Sequence, residues 1–167
     1  MAGKVIGKKL PFGFRGNVTR TPDSIIAPYA NVGAANIEFG EPVVYDSDNL
    51  GVRKVAAGDT SDKVIGIAVR RIGQPYADND QGWYYAVGDT VDVLLRGSIA
   101  VEVADATGIT GRGKVYVRTG ADNAGEIVCA TGDDDDDDVI EVPNAVFAAG
   151  ECDASNIAEV TILARSI

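Results

Sequence analysis

From about Glu41 onward, apolar and polar positions fall into short β-like runs. Pro42-Val43-Val44-Tyr45 ends in the polar stretch Asp46-Ser47-Asp48-Asn49, and residues 52–55 lead into Ala57-Gly58-Asp59. Residues 64–69 are nearly all apolar, as in a strand buried on both faces. Residues 83–87 stop at Gly88-Asp89. Residues 91–95 and 99–103 flank Arg96-Gly97-Ser98, a glycine-containing connection that predicts a hairpin with Ile99, Val101 and Val103 on one face. Residues 114–118 and 126–130, separated by a loop with Asp122, Asn123 and Gly125, predict a second hairpin. Residues 139–142, 145–148 and 158–163 supply the last runs. Valine and isoleucine dominate, which suits a pleated, half-buried surface. Turn signals recur every ~8–15 residues, the spacing of a sandwich or barrel. No segment keeps helical period for three turns. The helical candidates are one turn over residues 21–27, with Thr21 as cap and Pro22 in first position, and residues 153–158. The expectation is an all-β protein, a compact sandwich or barrel of short antiparallel strands.

The first 40 residues read differently. Gly3, Gly7, Gly13, Gly16, Gly33 and Gly40 alternate with Pro11, Pro22 and Pro28, and Phe12, Phe14, Ile25 and Ile26 recur without a sustained period. This predicts an extended arm, residues 1–40, docked by a few anchors onto a β body of residues 41–167.

Composition sharpens that division. The chain has 167 residues, enough for one domain with a real core, and a formal charge of −10. Residues 1–40 hold Lys4, Lys8, Lys9, Arg15 and Arg20 against Asp23 and Glu38, a balance of +3, so the remainder carries −13. A basic leading segment on an acidic body points to an arm that contacts another molecule, with simple solubility as the alternative. The acidic balance disfavours nucleic acid as a partner. No window has the ~18 apolar residues of a membrane span. The N-terminal residues lack the apolar core of a signal peptide, so synthesis in the cytoplasm is expected.

Candidate chemistry is sparse. The sequence has no histidine, which removes the commonest general base and metal ligand. Gly108-Ile109-Thr110-Gly111-Arg112-Gly113-Lys114 has phosphate-loop spacing, but Val115 stands where the motif needs Ser or Thr, and a strand pattern follows. A glycine-rich turn is the simpler reading. Asp133, Asp134, Asp135, Asp136, Asp137 and Asp138 form an uninterrupted run. A calcium loop spaces its ligands with a glycine between them, so a solvated acidic loop is preferred here and a cation site is the alternative. Cys129 and Cys152 fit neither a disulfide framework nor a zinc motif. Asn17-Val18-Thr19 matches a glycosylation sequon, which carries no weight without a secretory signal. Tyr76, Trp83, Tyr84 and Tyr85 are the one dense aromatic group. They are read as packing residues, or, in a carbohydrate-binding sandwich, as a groove lining. No catalytic residue, cofactor or resident metal is expected.

The order of the pieces carries a resemblance. Gly16-Asn17-Val18-Thr19-Arg20 precedes Ile37-Glu38-Phe39-Gly40-Glu41-Pro42-Val43, then Ile65-Gly66-Ile67-Ala68-Val69-Arg70 and Tyr85-Ala86-Val87-Gly88-Asp89. Val91-Asp92-Val93-Leu94, Gly97-Ser98-Ile99-Ala100-Val101, Val142-Pro143-Asn144-Ala145-Val146-Phe147 and Ala158-Glu159-Val160 follow. This resembles the structural cement (capsid decoration) proteins of tailed bacteriophages over nearly the whole chain. The resemblance implies a non-enzymatic virion protein on the outer capsid surface that bridges major capsid subunits and stabilises the head. On that reading Lys4, Lys8, Lys9, Phe12, Phe14, Arg15 and Arg20 are the capsid-contacting residues. Self-association is expected, a trimer in preference to a dimer. A head–tail completion or fibre-associated protein is the alternative virion role. The aspartate run has no counterpart in the family pattern.

Overall fold

The computed structural model describes residues 12–71, 84–105, 107–129 and 139–165. Those residues form eleven strands and a single 3-10 turn, Ser61–Lys63. The strands are β1 Val18–Ala30, β2 Ile37–Glu38, β3 Pro42–Asp46, β4 Gly51–Lys54, β5 Val64–Ala68 and β6 Tyr84–Tyr85. They continue with β7 Thr90–Asp105, β8 Lys114–Arg118, β9 Ile127–Val128, β10 Val139–Phe147 and β11 Ile157–Ile162.

The pairings form two rings that share β7. In one, β7 pairs with β11, β11 with β10, β10 with β8 and β8 with β9, and β9 returns to β7 in parallel. In the other, β7 pairs with β5, β5 with β3 and β3 with β4. Val52 of β4 then bridges Asn31 at the end of β1, and β1 pairs back onto β7. Ring closure leaves fewer open strand edges than a flat sheet would.

Each ring has its own core. The larger gathers Ile99, Val101, Val103, Val115, Val117, Phe147 and Val160, joined by Val44, Ile67 and Leu94 from the second ring's strands. The other gathers Ile37, Phe39, Val43, Val52, Tyr85, Val91, Val93 and Leu95. Along β7 the odd-numbered residues Val91, Val93 and Leu95 face the second core, but Ile99, Val101 and Val103 face the first. The reversal occurs at Gly97, with φ +123, opposite an irregularity in which β1 runs from Arg20 to Ile25 while β7 runs from Ser98 to Arg96. A bulge shifts a strand's alternation by one residue, and that shift lets one strand serve two cores.

Several local expectations change accordingly. Residues 91–95 and 99–103 do not fold back as a hairpin but run on as the single strand β7, because Gly97 bends the backbone without reversing it. Residues 139–142 and 145–148 likewise join in one strand, β10, which absorbs Pro143 and the positive φ of Asn144 (+57) in a register shift. The helical turn expected over residues 21–27 is part of β1, since Ile25, Ala27 and Tyr29 pack inward on alternate positions. Residues 153–158 are a tight turn into β11, in which Asp153 Oδ1 accepts from the Ser155 and Ile157 amides. The second predicted hairpin is present, with Tyr116 opposite Val128 and Val117 opposite Ile127.

The expected boundary after residue 40 does not separate two packing units among the described residues. β1 belongs to the main sheet, and Ile37 and Phe39 are 0% and 4% exposed in the second core. Apolar side chains with no period of their own find one across the ring, where their neighbours come from distant strands. Residues 1–11, with Lys4, Lys8 and Lys9, lie outside the described residues.

Candidate functional site

The described chain enters the body through a turn built on glycines. Gly13 and Gly16 have φ of +103 and +81. The Gly16 amide donates to the Ala100 carbonyl at 2.7 Å, and the Gly16 carbonyl accepts from the Arg70 amide at 2.7 Å. A Cβ on Gly16 would stand 2.8 Å from Phe39 Cβ and 2.9 Å from the Arg70 nitrogen, so only glycine fits there without displacing its neighbours. The Phe12 amide donates to Asp153 Oδ2 at 3.1 Å.

That turn holds Phe14 outward, 67% exposed, with the Arg70 guanidinium 4.5 Å from the ring centroid. A cation over an aromatic face stabilises the ring's position while leaving its other side open. Phe14, Arg15, Arg70, Glu102, Asp153 and Ile157 border an open groove of about 480 Å³.

The two arginines of the predicted contact set are engaged within the body. Arg15 Nη1 is 2.5 Å from Glu38 Oε2 and 3.4 Å from Glu102 Oε2. Arg20 makes a two-point contact with Glu159, Nε to Oε1 at 3.0 Å and Nη2 to Oε2 at 3.3 Å, and Thr19 Oγ1 donates to the same carboxylate at 2.6 Å. Glu159 is only 8% exposed. Burial would push its carboxyl pKa up, but the hydrogen bonds from Arg20 and Thr19 outweigh burial and hold it below the ordinary carboxylate value. Asp153 behaves alike: burial is opposed and exceeded by the amides of Ile157, Ser155 and Phe12.

A folded-state pKa below the unfolded one contributes stability that is complete above the unfolded value, near about 4, and is lost as pH falls through the folded value. Glu159→Gln is therefore expected to weaken the protein at neutral pH and flatten its acid limb. Urea midpoints at pH 6 and pH 3 should differ less in the variant than in the wild type. An equal drop in both would assign the acid limb to other groups.

A second, acidic recess of about 280 Å³ adjoins the groove through Arg15 and Glu102 and is lined by Glu38, Glu41, Lys54 and Glu126. Burial raises the Glu41 pKa despite Lys54 Nζ at 2.8 Å from Oε1. Among the described residues no three His, Cys, Asp or Glu side chains are grouped to hold a metal ion. The run Asp133 to Asp138 falls outside the described residues, as do Tyr76 and Trp83. Tyr85 is a core residue, 2% exposed, with its hydroxyl donating to the Val69 carbonyl at 2.6 Å and its ring edge-on to Phe39 at 5.1 Å. The glycine-rich stretch before Val115 is a turn leading into β8, and Lys114 pairs with Glu141 at 2.6 Å. What this surface offers chemically is contact: an exposed aromatic beside internally answered charges.

A family model described as "Structural cement protein (E217 gp24/Pam3 gp6)" matches residues 3–163. The chain belongs to this family of phage structural cement proteins. No curated protein matches the chain. A chain in the solved structure titled "The capsid of Myoviridae Phage XM1" has the same fold, with a TM-score of 0.74 and 19% sequence identity over 98% of each chain. This cement protein is accordingly a capsid-stabilising structural protein of a bacteriophage virion. Sequence reasoning selected Phe14 and missed Arg70, Glu102, Asp153 and Glu159. Arg70, Glu102 and Asp153 lie far from Phe14 in sequence yet border the same groove, and Glu159 lies far from its partner Arg20, so no local spacing marks them.

Proposed function

We propose that this cement protein binds the outer surface of a phage head and bridges neighbouring major capsid subunits, with its leading residues as the contact arm and no catalytic role. The observation that carries the reading is the held-out Phe14, 67% exposed, at the point where the basic leader joins an acidic body. Residues 1–11 contain Lys4, Lys8 and Lys9 and no acidic residue. Arg15 and Arg20 are neutralised by Glu38, Glu102 and Glu159, so they act by fixing the root of the arm. Phe12 and Phe14 supply the apolar part of the contact, and the lysines meet acidic capsid surface. A segment that orders on binding covers much area with few residues, at an entropic cost. The protein binds capsid as a homo-oligomer, a trimer in preference to a dimer, and takes no nucleic acid.

The test uses heads lacking this protein. Full-length chain should saturate defined external positions and raise the temperature at which the shell opens. Removal of residues 1–11, which retains every described residue, is expected to reduce occupancy at least about ten-fold, equivalent to about 1.4 kcal/mol of binding. Undiminished occupancy would sink the arm. Failure of the full chain to decorate heads would sink the outer-surface reading itself.

A further inference from the structure

One carboxylate joins two of the segments that border the groove beside Phe14. Asp153 Oδ2 accepts from the Phe12 amide at 3.1 Å, and Oδ1 accepts from the Ser155 and Ile157 amides at 2.8 and 3.0 Å. The Phe14 segment is tied a second time where Gly16 meets Ala100 and Arg70. Both segments are thus positioned by the chain's own hydrogen bonds, which lowers the ordering cost of filling the space between them. At about 480 Å³ the groove falls in the ~300–1,000 Å³ range of clefts that take a small group. Its apolar surface comes from the exposed Phe14 ring and from Ile157. Its charges are balanced and answered. Arg15 and Arg70 stand against Glu102 and Asp153. Arg15 lies between Glu38 and Glu102, and the Arg70 guanidinium lies over the Phe14 ring. Asp153 is 8% exposed, with both oxygens occupied by amides.

We infer that this groove receives an uncharged aliphatic or aromatic side chain from a capsid subunit, an inference that rests on the reading of the Phe14 surface as the capsid contact. The occupant's chemistry follows from charge. An ammonium or carboxylate entering the groove would lose its water and meet no unanswered counter-charge, a cost that an apolar group does not carry. An apolar group gains instead from covering Phe14 and Ile157. Insertion then runs from the shell into the cement protein, and Phe14 is a wall of the receiving site. The lysines of the leader are left to acidic surface elsewhere on the shell, so the two contacts are chemically distinct. Ser155 borders the groove and is exposed, which makes it the position from which the space can be filled without touching the core.

Two measurements test the groove. In the first, N-acetyl-leucinamide and N-acetyl-phenylalaninamide are titrated into the full chain and amide NMR shifts are followed. Saturable shifts at Phe14, Ser155 and Ile157 are expected in the millimolar range, with N-acetyl-lysinamide at least about ten-fold weaker. In the second, Ser155→Trp fills the groove, and Ser155→Ala serves as the control. Ser155→Trp should abolish the probe shifts and lower occupancy on heads lacking this protein at least about ten-fold, with the urea midpoint in place. Ser155→Ala should leave all three readouts unchanged. Charged and apolar probes that bind alike, or no saturable shift at all, would overturn the inference. So would full head occupancy by Ser155→Trp. Removal of residues 1–11 should leave probe affinity unchanged; a ten-fold rise would overturn the inference by making the chain's own leader the occupant. Failure of the arm shows differently, as undiminished occupancy after that removal while Ser155→Trp still blocks binding. Failure of the outer-surface reading shows as no decoration by the full chain, with the probe shifts intact.

Discussion

Gly97→Ala is expected to destabilise the protein by about 2–4 kcal/mol, the sum of backbone strain and a steric clash. Gly97 has φ +123, and a Cβ there would lie 3.0 Å from Ser24 Cα and 3.2 Å from Ser24 Cβ. Relief of that clash requires β1 to move away from β7, which disturbs the seam of both rings. Gly58 provides the comparison. It too has a positive φ, +81, but nothing lies within 4 Å of its would-be Cβ. Gly58→Ala carries strain alone, about 1–2 kcal/mol. Urea unfolding of the two variants separates the contributions. Equal losses would mean that the close approach of Ser24 is unimportant.

Phe147→Ala is expected to cost about 3–5 kcal/mol, the range for emptying a buried phenylalanine site. Phe147 is fully buried among the large core's valines and isoleucines, and β10 holds it opposite Val160 of β11. A domain of this size has roughly 5–15 kcal/mol of total stability, so the variant loses a large fraction of it. Phe14→Ala, with the same side-chain change at a 67% exposed position, should alter stability by no more than about 0.5 kcal/mol. Its readout is head occupancy. A large loss of stability in Phe14→Ala would reassign that residue to the core, and a small loss in Phe147→Ala would mean the site collapses without a cavity.

The β class was legible because valine and isoleucine recur in runs too short and too regular for helices. The order of the runs also carried the family. The joins between runs were less legible. Arg96-Gly97-Ser98 between two apolar stretches looks the same whether the glycine reverses a chain or only bends it. Which occurs depends on whether β1 and β11 are available to pair along the whole length, and that is a long-range fact. Pro143-Asn144 concealed the continuity of β10 in the same way. β1 escaped because Pro22 and Pro28 punctuate it, yet a strand with a single partner tolerates proline. At the candidate site, Phe14 stood out by its type and setting. The engagement of Arg15 and Arg20 did not, because Glu102 and Glu159 lie on strands that the local pattern could not place beside them.

One strand passes through both rings, and this bears on how the molecule carries load. A pull between its two halves travels along the covalent backbone of β7, not through a flexible connector. Its ladders to β1 and β11 lie alongside that backbone and are stressed in shear, where many hydrogen bonds must yield together. Such a geometry resists separation of the two cores along the strand they share.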